Sequence, residues 1–265
     1  MAIELLDALI LIISGFGAGL FVSICSGTAA GYMIPILTVF LGKTIHKSIG
    51  TSLFIDCVVA LSAGIIFLKN KKVKLKPMLL VIIFSSIGAV IGSNFTSSVP
   101  STGLSIYIGI VLLVFGFSFI IYGVHKNIEY IKSKYSFNIF KKYKTIIFAL
   151  AGFSIGLSSG FTGFGGAALI AFGLIFVLEY DLHTAIGTSL VVMFFLAGFG
   201  SIGHILKNNF LYESAMYAAP FAIIGALTGS LVANKIDEEK LGKVIGIIFI
   251  FLGIAILANL LNQVL

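Results

Sequence analysis

Two runs of small residues carry most of the chemistry this sequence offers. From Gly156 to Gly166 the chain reads Gly-Leu-Ser-Ser-Gly-Phe-Thr-Gly-Phe-Gly-Gly, and near the start it reads Cys25-Ser26-Gly27-Thr28-Ala29-Ala30-Gly31. Each run lies inside an overlong apolar segment, residues 145–178 and 8–41. A continuous helix of that length would run about 51 Å, against a hydrocarbon core of ~30 Å. A break is therefore expected in each. Free backbone N–H and C=O groups are costly in hydrocarbon, so a break survives only where protein or a polar cavity satisfies it. A break thus implies a cavity.

What such a cavity holds follows from what the chain lacks. All 17 basic residues are lysines, none is an arginine, and every lysine lies in or near a loop. An anion at mid-depth meets no cationic side chain there, so backbone must receive it. A half-helix that begins inside the membrane offers unpaired N–H groups and the positive end of its dipole, and glycine lets a ligand approach closely. The second half-helices are expected to start near Thr28 and Gly165. The substrate-binding candidates are then Ser26, Gly27, Thr28, Thr162, Gly163, Gly165 and Gly166 at the breaks, with Thr51, Ser52, Thr188 and Ser189 from the helices that follow. The competing role of small residues is close helix packing, which is the reading for Gly88-x-x-x-Gly92 and Gly225-x-x-x-Gly229.

Asp56 is the one carboxylate near the centre of an apolar segment. A charge at that depth is expensive, which makes Asp56 a proton-coupling candidate; the bland alternative is a carboxyl bonded to a neighbouring hydroxyl or backbone group. His46 and His183 stand four residues before Gly50 and Gly187 and are expected to cap at the interface, and His125 and His204 are read as boundary residues. The dispersed histidines, with Cys25 and Cys57, show no metal-ligand spacing, so no metal, cofactor or disulfide is expected. Gly156-Leu157-Ser158-Ser159-Gly160 fits the G-x-S-x-G pattern, and an intramembrane serine hydrolase with His183 or His204 as base is the remote enzymatic alternative. The strand that a nucleophile elbow needs is missing from the pattern, so no catalytic residue is assigned and the chain is read as a non-enzyme.

The surrounding elements are apolar spans. With 59% hydrophobic and 10% charged residues, a soluble domain is excluded and a multi-pass, all-α membrane protein expected. The lysines form no stripe that could follow a phosphate backbone, so nucleic acid is not a partner. Sliding the chain on itself by 137 residues pairs Ile49-Gly50-Thr51-Ser52-Leu53 with Ile186-Gly187-Thr188-Ser189-Leu190. The same shift pairs Ile87-Gly88-Ala89 with Ile224-Gly225-Ala226, and Asp56 with Met193. One offset indicates duplication: a first repeat over residues 1–124, a basic cytoplasmic linker over 125–144 and a second repeat over 145–265, each a broken or re-entrant first segment followed by three transmembrane helices. If the first segments cross once, the lysines divide twelve against five; if they are re-entrant hairpins, only Lys43, Lys47 and Lys207 lie outside. The positive-inside rule favours hairpins, and with them inverted repeats and outward termini.

The glycine-rich element Thr162-Gly163-Phe164-Gly165-Gly166 and the element Ala185-Ile186-Gly187-Thr188-Ser189, with Ser48-Ile49-Gly50-Thr51-Ser52 repeating the latter, resemble those of the sulfite exporter TauE/SafE family, and the likeness covers nearly the whole chain. The first half departs from the pattern, with Pro35 beyond its break where the second half has Phe172. The resemblance implies transport of sulfur-containing anions, sulfite or small organosulfonates, in the cell membrane. Alternating access about one central site is the expected mechanism, with a passive anion channel as the alternative. A small anion and the lipid bilayer are the expected partners, and a homodimer is the expected assembly.

Overall fold

The computed structural model describes residues 5–122, 144–164, 166–178, 180–232 and 238–264. Gly165 and nearly all of the expected 125–144 linker lie outside them. The described residues are helical and contain no strand. In chain order the helices are α1 (Leu5–Cys25), α2 (Ala30–Pro35, continued by a π turn over Ile36–Phe40), α3 (Ile45–Lys69), α4 (Leu79–Thr96), α5 (Ser101–Tyr122), α6 (Lys144–Thr162), α7 (Ala167–Val177), α8 (Leu182–Leu206), α9 (Tyr212–Val232) and α10 (Glu238–Val264). Five of them, α1, α3, α4, α8 and α9, are long and apolar enough to cross a membrane. The chain is a multi-pass membrane protein.

The 137-residue offset reappears in the helix limits. Shifted by it, Ala30–Phe40 falls on Ala167–Val177, and Ile45–Lys69 on Leu182–Leu206. The one local difference has a covalent cause: Pro35 has no N–H to give, and the ladder loosens to π geometry beyond it, whereas α7, with Phe172 at that place, stays α-helical throughout.

The halves interlock. α1 packs on α9, with Gly15 against the Ala218 backbone and Gly19 against Ala222; α6 packs on α4, with Gly156 against Ser85 and Gly160 against Ala89. In both pairs the contacts advance together along the two helices, so each pair is parallel. A Cβ at Gly88 or Gly225 would strike backbone of the facing helix, which bears out the packing reading of the two G-x-x-x-G motifs. Each opening helix is thus held by the other half. α3 and α8 pack on each other at the centre, where Ile49, Leu53, Leu190, Met193 and Leu196 are fully buried, and α5 pairs with α10.

Asp7 and Leu11 of α1 line one cavity with Leu41 and Lys43, so α1 and the α2 segment end on the same side and form a hairpin. Tyr180 and Asp181, just after α7, meet Lys74 and Lys72, just after α3, at the opposite side. α6 runs parallel to α4 and so starts there too, which makes α6–α7 a hairpin from the opposite side. The breaks fall near the centres of the expected segments 8–41 and 145–178, but the arms are unequal. α1 has 21 residues, about 31 Å at the usual rise, whereas the segment from Ala30 to Phe40 is about 16 Å long.

Candidate functional site

The breaks fall where the glycine and hydroxyl runs place them. Ser26 and Gly163, related by the repeat, both adopt left-handed backbone, at φ 53° and 84°, and turn the chain out of α1 and α6. Glycine does this without penalty and serine does not. Gly166 (φ 61°) turns it again into α7. Asp56, which the first break contacts, lies 11 residues into the 25-residue α3, or about 16 Å along a helix of about 37 Å. The break is at mid-depth.

Around the breaks the Gly-Thr-Ser elements act as clasps between halves. Gly50 leaves room for the Asn209 carbonyl, and Gly187 for that of Lys72. Thr51 Oγ1 then accepts from the Leu211 amide at 3.0 Å, and Thr188 Oγ1 from the Lys74 amide at 3.0 Å. Thr51 gives its own proton to the Lys47 carbonyl at 2.8 Å. The serines meet the opposite break: Ser189 Oγ lies 2.8 Å from Ser26 Oγ, and Ser52 abuts Gly163. Thr51, Ser52, Thr188, Ser189, Ser26 and Gly163 therefore support the breaks without lining the space between them.

That space is a chamber of about 230 Å³, lined by Gly27 and Thr28 from the first break and by Thr162, Phe164 and Gly166 from the second. Ser158, Ala167 and Ala168 add polar and backbone surface, and Phe21, Tyr107, Ile155, Leu169 and Phe249 complete the wall. The two breaks present opposite faces to it. At the first, Asp56 is fully buried; its Oδ1 accepts from the Ala29 amide at 2.6 Å and its Oδ2 from the Thr28 hydroxyl at 2.7 Å. The Ala30 amide is taken by Thr28 Oγ1 at 3.2 Å. A carboxylate from α3 thus already meets the donors that open α2. At the second break Met193 stands in the place of Asp56 and provides no acceptor. The Gly166 carbonyl accepts the first helical bond, from Ile170 at 3.1 Å, and the amides of Ala167 and Ala168 precede the helical ladder, with no partner inside it.

The hydroxyls around the chamber are not equivalent. Thr162 donates to the Ser158 carbonyl at 2.8 Å and accepts from the Phe164 amide at 3.3 Å, and Thr28 donates to Asp56. Ser158 is exposed to the chamber, and its hydroxyl makes no hydrogen bond among the described residues. The groups of the lining that can donate hydrogen bonds thus include the Ser158 hydroxyl, the Tyr107 phenol and amides of the first turn of α7. Ser158 was visible in the sequence as a decoy nucleophile; Tyr107 and Phe249 had no signal, because only the fold brings α5 and α10 to the breaks.

His204 corrects another reading. It is fully buried, with Nε2 2.9 Å from the Gly160 carbonyl, where it caps the last turn of α6 beside the Thr96 hydroxyl, 3.0 Å from the Phe161 carbonyl. It is a support for the break, not a boundary residue, because a helix that stops inside the protein leaves carbonyls in need of donors. His46, in the first turn of α3, reaches the connection between α4 and α5 instead of capping its own helix, with Nε2 3.0 Å from the Val99 carbonyl. No group of three or more metal-ligating side chains occurs among the described residues.

Comparison with known proteins agrees with this architecture. The family described as sulfite exporter TauE/SafE matches residues 11–256. A "Probable membrane transporter protein YdhB" of Bacillus subtilis is 25% identical over 89% of this chain and 95% of its own length. A "Probable membrane transporter protein YunE" of the same organism is 23% identical over 84% of each chain. A "Probable membrane transporter protein" of Xylella fastidiosa is 32% identical over 41% of this chain and 40% of its own. No solved structure gives a significant match.

Proposed function

The chain belongs to the sulfite exporter TauE/SafE family, and from that premise we propose that it carries small sulfur-containing anions, sulfite or organosulfonate-like, across the cell membrane by alternating access. The observation that supports this reading is the contrast between the breaks: Asp56 takes the donors of the first, while at the second, where Met193 stands in its place, Gly166, Ala167 and Ala168 line the chamber. With no arginine in the chain, the first turn of α7 and the Ser158 hydroxyl are the groups suited to hold the anion. The interlocked halves would rock about this point, since each hairpin enters from its own side. Asp56 would link the cycle to protons. Protonation would turn one of its acceptor oxygens into a donor and break its bond to Ala29 or Thr28, loosening the first break.

The test is uptake of radiolabelled sulfite, thiosulfate and small sulfonates into proteoliposomes, with and without an imposed pH gradient. Saturable, gradient-driven accumulation and counterflow are expected. Flux without saturation or counterflow would make the protein a channel. An Asp56→Asn variant with an unaltered pH dependence of uptake would remove the coupling role.

A further inference from the structure

The chamber wall is chemically divided, and a bare oxyanion uses only the smaller part of it. Ser158 and the start of α7 supply its polar groups. In the apolar part of the lining, Phe21 and Phe249 meet edge to face at 5.5 Å between ring centroids, and each meets Tyr32 the same way, at 5.2 and 5.7 Å. Both phenylalanines are nearly buried, at 5% and 3% exposure, so the rings are fixed. Phe21 packs on Gly27 and Phe249 on Gly31, which ties the rings to the first break. A strongly hydrated, doubly charged oxyanion would lose water against this wall and gain no hydrogen bond from it. An apolar substituent gains on burial there.

We propose that the ligand is an amphipathic monoanion, its charged head at the Ser158 side and its apolar substituent against Phe21 and Phe249. The proposal rests on the transporter reading above and narrows its substrate class. A second cavity of about 440 Å³ adjoins the chamber, sharing Tyr107 and Ser158 and otherwise lined mainly by Phe95, Phe153, Leu157 and Phe161.

The experiment is competition against radiolabelled methanesulfonate uptake in proteoliposomes by ethane-, propane- and butanesulfonate, sulfite and sulfate, with protein-free liposomes as the baseline for partition into lipid. The inhibition constant should fall roughly fourfold per methylene from methyl to butyl, and sulfate should compete least. In Phe249→Ala the butyl-to-methyl ratio should collapse towards one, whatever the overall rate; Phe21→Leu, a milder change, should reduce the same ratio and serves if the first variant does not fold. A flat series with methanesulfonate uptake intact, sulfate competing as well as butanesulfonate, or ratios unchanged in the variants would overturn the amphipathic ligand and leave transport standing. No protein-dependent uptake of methanesulfonate or sulfite would overturn the transport reading, and this proposal with it.

Discussion

The two breaks stand at positions related by one 137-residue offset and are built differently. Both turn through a left-handed residue, both lean on a serine of the other half, and both are followed by an 11-residue helical stretch, Ala30–Phe40 and Ala167–Val177. At the first, Asp56 accepts from Ala29 and Thr28; at the second, Met193 stands at the repeat position of Asp56 and Ser158 at that of Phe21, and Gly166, Ala167 and Ala168 line the chamber. Of two helix openings at equivalent positions, the first is filled by the protein's own Asp56, and on the proposed function the second is the single seat. A two-fold pseudosymmetric scaffold can then hold one ligand off its axis.

The contrast is broken most severely by removing the resident carboxylate. Asp56→Ala leaves a buried amide and a hydroxyl without their acceptor and should cost about 3 kcal/mol, measured as lost thermal stability in detergent. Exchange of the turning residues sharpens it next. Gly163→Ser puts a side chain on left-handed backbone, where a Cβ would already lie 3.0 Å from Ser52 Oγ, and should cost about 2 kcal/mol. Ser26→Gly should be close to neutral, since relief of its own strained φ offsets the lost bond to Ser189. Ser158→Ala should weaken anion uptake about tenfold in apparent affinity, whereas Thr188→Val should lower stability by about 1 kcal/mol with little change in that affinity. Equal affinity losses in both would place the clasp residues at the seat after all.

The smallest effect lies at another point where the halves differ. Thr44, the N-cap of α3, makes no side-chain cap, but Asp181 at the start of α8 accepts from the Thr184 hydroxyl at 2.7 Å and the Thr184 amide at 3.0 Å. Asp181→Ala should cost about 1 kcal/mol. The ion pair with Lys72, at 3.7 Å and exposed, adds little. The Thr184 hydroxyl, first among its neighbours, holds the Asp181 carboxyl below its usual range. The unfolded chain therefore takes up this proton more readily than the folded one, so the contribution is full above about pH 3.9 and is lost as pH falls through the lower folded value. Thermal unfolding followed from pH 6 down to 3 should show the variant and parent converging.

Much of this was legible before any coordinates. A segment too long for the bilayer, rich in glycine, has few options, so the positions of the breaks and the 137-residue duplication could be read from Gly163, Ser26 and the paired Ile-Gly-Thr-Ser-Leu runs. The close-packing glycines Gly88 and Gly225 were legible because their spacing matches a helical turn. The role of Thr51 and Thr188 was not, since their partners, the amides of Leu211 and Lys74, sit 160 and 114 residues away. Nor could sequence say that His204 points inward to a carbonyl of a truncated helix, or that rings from α1 and α10 meet over Gly27 and Gly31. Long-range partners of small polar side chains leave no periodic trace.

The central claim is a single anion seat at the opening of α7. A diffraction experiment on crystals soaked in selenite, read at the selenium edge, addresses it directly. The account predicts one anomalous peak per chain inside the chamber, beside Ser158 and the amides of Ala167 and Ala168. Peaks of equal height at both breaks, or a peak only outside the chamber, would contradict it.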